Sequence, residues 1–129
     1  MPIIARLMPL IALLWLLPAQ IALGDEIPRI EAIKAIIGES ASEPDCMSNI
    51  ASAIKRRGTL KGVYGLNNPY VSKASGQDYQ RASKAWEESP MGKADHWLTP
   101  GELKKPSVQW YKKCKYIESC GSHGFYSCP

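Results

Sequence analysis

The segment GESASEP, residues 38 to 44, carries two carboxylic acids, Glu39 and Glu43, where an apolar helical run ends. An acid placed like Glu39 is either a solvated helix end or a working group. In a partly apolar cleft a carboxyl is kept protonated near neutral pH by the cost of burying charge. Such an acid can protonate the leaving oxygen as a glycosidic bond breaks. Gly38, just before it, would let another part of the chain approach the backbone closely. Glu43 stands three residues after Ser40, which is capping-box spacing, and capping is its expected role. His96 and His123 each sit near an aromatic residue in a short segment. Single histidines of that kind are more often packed or capping groups than catalytic ones. Tyr70, Trp86, Trp97, Trp110 and Tyr111 supply aromatic surface for a sugar-binding wall, although Trp86 falls on the apolar stripe of a helix.

A few elements must position these groups. In IPRIEAIKAIIGE the residues Ile30, Ile33, Ile36 and Ile37 recur at helical spacing, with Pro28 suited to a first turn. This predicts a first helix ending near Gly38-Glu39. A second helix is expected from about Pro44 to Arg57, burying Met47, Ile50, Ala51 and Ile54 and stopping at Gly58. KRRGTLK at its end is the densest basic patch and reads as positive charge meeting the helix dipole. TLKGVYGLNNPYVSKASG reads as an ordered loop. QDYQRASKAWEESP, with Tyr79, Ala82, Ala85 and Trp86 on one face, gives a third helix closed by Pro90 and Gly92. ADHWL and HGFYS read as short strands that pair across the Lys-rich stretch from 99 to 119. Their pairing is expected to bring His96 and His123 together near the cleft. The fold class is α+β: three main helices followed by a short antiparallel β-hairpin.

Residues 1 to 24 hold one base, Arg6, no acid, an apolar block, and Ala22-Leu23-Gly24 ahead of Asp25-Glu26. That is the pattern of a secretory signal peptide. Pro9 and Pro18 interrupt the block, leaving an apolar run short for a membrane span. An uncleaved anchor is the alternative. Residues 25 to 129 then form one exported domain, secreted or periplasmic, without stable membrane insertion once the signal is removed. All four cysteines, Cys46, Cys114, Cys120 and Cys128, lie in that part, so two disulfides are expected, with three possible pairings. Cys46, alone outside the C-terminal cluster, is the one expected to bridge the second helix to the tail. The cysteines and histidines lack C-x-x-C or H-x-x-x-H spacing, and neither a metal nor a cofactor is expected. A net charge of +4 suits residence near an anionic polymer such as a bacterial wall. It is too weak and too scattered for nucleic acid. The chain is taken as a monomer.

Six blocks follow one another along residues 29 to 127: GESASEP (38–44), IASAIKRRG (50–58), TLKGVYGLNNPYVS (59–72), GKADHWLTP (92–100), PSVQWY (106–111) and GSHGFYS (121–127). In order and wording they resemble the cell-wall hydrolases of the spore-cortex-lytic-enzyme type, a branch of the lysozyme-like superfamily. That family opens with a helix ending in a GEARGEP-like motif, then an alanine-rich helix ending near an Asn-Arg pair, and closes with GAxHYxxP-like and IGxHxFY-like strands. Lys55 departs from the asparagine of the pair, and Leu98-Thr99 stand where His-Asn is common. The resemblance implies a small lysozyme-like domain acting on peptidoglycan glycan strands, as a lytic transglycosylase or muramidase. It implies Glu39 as the catalytic acid, with Tyr70 and Ser72 on the loop beside it. His96, Trp97 and His123 join these as substrate-binding candidates. No second catalytic carboxylate is evident in the pattern. On N-acetylmuramic acid one is not required, because the sugar's own C6 hydroxyl or acetamido oxygen can act as nucleophile. The alternative is a catalytically inactive, disulfide-stapled wall-binding module or inhibitor with the same fold.

Overall fold

Helix α1 (Arg29–Ser40) buries Ala32, Ile33, Ala35, Ile36 and Ile37 along one stripe. The structure, a computed structural model, describes residues 26 to 129, so the expected signal segment lies outside the described residues. A 3-10 turn (Pro44–Cys46) leads into α2 (Met47–Arg57), which buries Met47, Ile50, Ala51, Ala53 and Ile54. Gly58 ends α2 in the left-handed conformation, φ 74°, where a side chain would be strained. The expected loop contains two short elements, a 3-10 turn (Gly65–Asn67) and α3 (Pro69–Lys73), the latter capped by the Asn68 side chain. Helix α4 (Gly76–Glu88) starts with a Ser75–Asp78 capping box and buries Ala82 and Ala85. Those small side chains let it lie close against α1 and α2, which also pack on each other. These are the three main helices, and their shared core also takes in Val63, Ala94 and Phe125.

The sheet follows, and the molecule is α+β as expected. Strand β1 (His96–Leu98) is followed by a single helical turn, α5 (Pro100–Leu103), and a 3-10 segment (Pro106–Lys113). Strands β2 (Lys115–Cys120) and β3 (His123–Ser127) form a hairpin about Gly121, φ 54°. The antiparallel order is β1-β3-β2. The two segments expected to pair do so, with His96 opposite Tyr126 and Trp97 opposite Phe125. They form part of a three-stranded sheet, however, in which β3 is central. Strand β2 has mostly exposed side chains. Such an edge strand shows no buried alternation in its sequence.

Two disulfides close the described cysteines: Cys46–Cys120 and Cys114–Cys128. The first bridges the turn before α2 to the end of β2, as expected of Cys46. The second ties the start of β2 to the chain after β3. Together they hold both ends of the hairpin, and two such bonds suit an oxidising environment. No helix of the described residues is long and apolar enough to cross a membrane.

Candidate active site

Glu39 occupies the last turn of α1, and two N–H groups hold its carboxylate. The backbone N–H of Gly65 donates to Oε1 at 3.0 Å, and the indole Nε1–H of Trp97 donates to Oε2 at 3.0 Å. Each oxygen retains a further lone pair. Backbone contact makes the first bond possible. A Cβ on Gly38 would stand 1.7 Å from the Gly65 carbonyl oxygen, and a Cβ on Gly65 would stand 2.6 Å from Glu39 Cγ. The close approach that Gly38 suggests in the sequence is therefore present, and its partner is another glycine. The second bond comes from the sheet. Pairing with buried Phe125 turns Trp97 toward the helices, within reach of Glu39.

Half-buried Glu39 lines a cavity of about 590 Å³ together with Tyr64, His96, Trp97, Glu102 and Trp110. That volume suits a small ligand or part of a polymer. Tyr64 is 80% exposed and Trp110 40% exposed, so two aromatic faces stand open to a ligand. A slightly larger hollow of about 630 Å³ lies between α2 and α4, around Asp45, Arg81, Lys84 and Glu88. Its lining has neither an aromatic wall nor a carboxylate held by N–H donors, so the Glu39 cavity is the better candidate.

Of the residues singled out by sequence, Glu39, His96, Trp97 and Trp110 share this cavity. The His96 ring lies 4.9 Å from that of Trp110, and its Nδ1 is 2.8 Å from Asp95 Oδ1. Burial opposes ionisation of Asp95, but the His96 hydrogen bond, the Cys128 N–H and the nearby imidazole charge outweigh it. The Asp95 carboxyl is thereby held below its ordinary 3.8. Asp95, His96 and Cys128 bring possible ligand atoms within 4.8 Å of one another. The sulfur is bonded to Cys114, however, and offers no thiolate to a metal.

The remaining candidates lie elsewhere. Tyr70 and Ser72 are exposed on α3, Ser72 donates to Pro69 O, and neither lines the cavity that holds Glu39. His123 is only 6% exposed and shares the inward face of β3 with Phe125. His96 is instead paired with Tyr126, on the opposite face. The sheet register thus separates the two histidines that strand pairing was expected to unite.

Glu43 corrects another expectation. No side-chain cap is made with it, and Ser40 Oγ instead donates to Ile36 O within α1. The Glu43 carboxylate crosses to the β2–β3 turn and accepts from the Ser122 N–H at 2.7 Å and from the Ser122 hydroxyl. These bonds, helped by the imidazole of His123 3.5 Å away and opposed by burial, hold the carboxyl below its ordinary 4.5. Gly121 is needed beside it, since a Cβ there would collide with Glu43 Oε2.

Sequence reasoning passed over Tyr64, Arg57 and Glu102 as wall residues. Glu102 is a second acid in the cavity, but Oε1 caps α5 by accepting from Thr99 N (3.1 Å) and Oγ (3.0 Å). The T-P-G-E spacing from Thr99 to Glu102 carries that capping signal. Arg57 points its guanidinium into the turn after α2, donating to Lys61 O and Asp95 O. Comparison of the chain with protein-family models, with curated proteins and with solved structures finds no match.

Proposed function

We propose that the protein is an exported enzyme that cleaves peptidoglycan glycan strands, with Glu39 as its one catalytic acid and base. The observation that carries this reading is the Glu39 carboxyl, held by the Gly65 and Trp97 N–H groups at the wall of an open, aromatic-lined cavity. Glycoside cleavage needs an acid fixed beside the leaving oxygen, and two convergent donors supply the fixing. Tyr64 and Trp110 offer flat faces for pyranose rings. The likeness of GESASEP and the later blocks to spore-cortex-lytic-type hydrolases points the same way, and the paired cysteines agree with an exported, periplasmic or secreted protein.

With Glu102 engaged in a cap, lytic transglycosylation is favoured over a two-carboxylate hydrolysis. Glu39 gives its proton to the glycosidic oxygen as the bond to C1 of N-acetylmuramic acid breaks. The sugar's C6 hydroxyl then closes on C1 and returns its proton to the Glu39 carboxylate. A 1,6-anhydro end and a free hydroxyl on the departing sugar result, and the enzyme is restored. Wall-embedded gels run with wild type and Glu39→Gln test the proposal. A clearing zone from wild type alone supports it, and clearing of equal intensity from the variant removes it.

A further inference from the structure

Beside the Glu39 cavity lies a second hollow of about 460 Å³, walled by Arg56, Arg57, Thr59, Lys61, Asp95 and His96. Arg57, Gly62 and His96 belong to both linings, so one extended ligand can occupy the two. Their characters differ. The first is aromatic, whereas the second gathers three cations from the end of α2 and the turn after it. Its one carboxylate, Asp95, already accepts from the Cys128 N–H and pairs with His96. Arg57 is pinned on Lys61 O and Asp95 O. Gly62, φ 82°, makes room for that guanidinium, because a Cβ there would lie 2.6 Å from Arg57 Nη2.

Arg56 and Lys61 are exposed, and their side chains have no hydrogen-bond or ion-pair partner among the described residues. The dipole of α2 accounts for cations in its last turn. It does not account for Lys61, which lies beyond that turn, nor for a hollow opening onto a catalytic cavity. We infer that Arg56 and Lys61 form an anion subsite that takes a carboxylate of the same strand whose glycosidic bond lies at Glu39. A guanidinium grips a carboxylate through two parallel N–H bonds, and an ammonium adds a mobile point charge. The identity of the strand rests on the proposed function. Peptidoglycan carries free carboxylates on its stem peptides, and on its lactyl ethers wherever the peptide has been removed, whereas an uncharged N-acetylglucosamine polymer carries none. The subsite would therefore select muramic-acid-containing strands by charge.

The test measures binding, which separates it from turnover. Soluble glycan strands are prepared in three forms: intact, with carboxylates converted to amides, and stripped of peptides to leave bare lactyl carboxylates. Binding is measured with Glu39→Gln protein and with the same protein carrying Arg56→Gln and Lys61→Gln. Intact strands should bind the triple variant about tenfold more weakly. Amidated strands should bind both proteins with that same reduced affinity. If stripped strands match intact ones, the subsite takes a bare lactyl carboxylate as readily as a stem carboxylate, and if they match amidated ones, only a stem carboxylate is held. Equal binding of intact and amidated strands, or no loss on substitution, overturns the subsite and leaves the glycosidase proposal standing. Selective binding by a wild-type protein without turnover overturns the glycosidase proposal and leaves the subsite standing. No binding to any strand overturns both. Arg56 and Lys61 are both exposed, so matching melting curves are expected for the Glu39→Gln protein and the triple variant.

Discussion

Gly38→Ala sets local helix propensity against the tertiary contact that positions Glu39. On propensity alone, alanine in place of a helical glycine stabilises by about 0.5–1 kcal/mol. In the fold, the added Cβ would stand 1.7 Å from the Gly65 carbonyl oxygen, and backbone cannot swing aside as a side chain does. An unstrained carbon–oxygen contact is about 3.3 Å, so helix α1 and the loop carrying Gly65 must part by roughly 1.5 Å. Overpacking of that kind costs about 1–3 kcal/mol. Parting also breaks the N–H bond from Gly65 to Glu39, worth about 1–2 kcal/mol at this half-buried site. After subtracting the propensity gain, the net destabilisation is about 1–4.5 kcal/mol. For a domain of this size the melting temperature should fall by about 5–25 °C. Thermal denaturation followed by circular dichroism reads the change directly. A melting temperature equal to or above wild type would refute the backbone contact as the support for Glu39.

Trp97→Phe keeps the ring opposite Phe125 and removes the N–H on Glu39 Oε2. Turnover of wall substrate should fall about tenfold with KM little changed, and stability should fall by about 1 kcal/mol; unchanged turnover would mean that the indole does not orient the acid. Replacing Cys46 and Cys120 by serine opens a bridge of sequence separation 74, against 14 for Cys114–Cys128. Chain-entropy arguments assign about 4 kcal/mol to the first and about 3 kcal/mol to the second, so urea midpoints should drop further for the Cys46/Cys120 pair, and the reverse order would count against that ranking. Glu43 and Asp95 are both more acidic than their ordinary 4.5 and 3.8. Such groups stabilise fully above the unfolded pKa and lose their contribution as pH falls through the folded one. Melting temperature should therefore decline below about pH 4.5, and Glu43→Gln should lower the neutral plateau and flatten that decline; identical acid limbs in the two proteins would refute the Ser122 contact.

What was legible in the sequence was mostly what neighbouring residues decide together. The isoleucine spacing marked α1, Gly58 marked the end of α2, and Pro90 with Gly92 marked the close of α4. Aromatic residues flanked by Gly and Pro marked the strands that became β1 and β3. Gly38 signalled a close approach, although its partner Gly65 was not foreseeable from spacing. Strand β2 escaped notice because an exposed edge strand has no buried face to impose alternation. The 3-10 segment from Pro106 to Lys113, with no buried residue, escaped for the same reason. Contacts distant in sequence were the least legible. Trp97 reaches Glu39 across 58 positions and Ser122 reaches Glu43 across 79. The placement of His96 and His123 turned on strand register, where a shift of one residue reverses the face.

Mass spectrometry of the soluble fragments released from purified walls by wild type and by Glu39→Gln tests the central claim most directly. The amide keeps the shape of the side chain and can accept from one of the Gly65 and Trp97 N–H groups through its one carbonyl oxygen, its NH2 then facing the other, and it cannot transfer a proton. Wild type should release fragments ending in 1,6-anhydro-N-acetylmuramic acid. The variant should release them ~10²–10⁴-fold more slowly while still folding cooperatively, with a melting temperature lowered by no more than about 10 °C. Release of the same fragments at the same rate by a folded Glu39→Gln protein would contradict the account, and so would a wild-type protein that frees no muramic-acid-containing fragment at all.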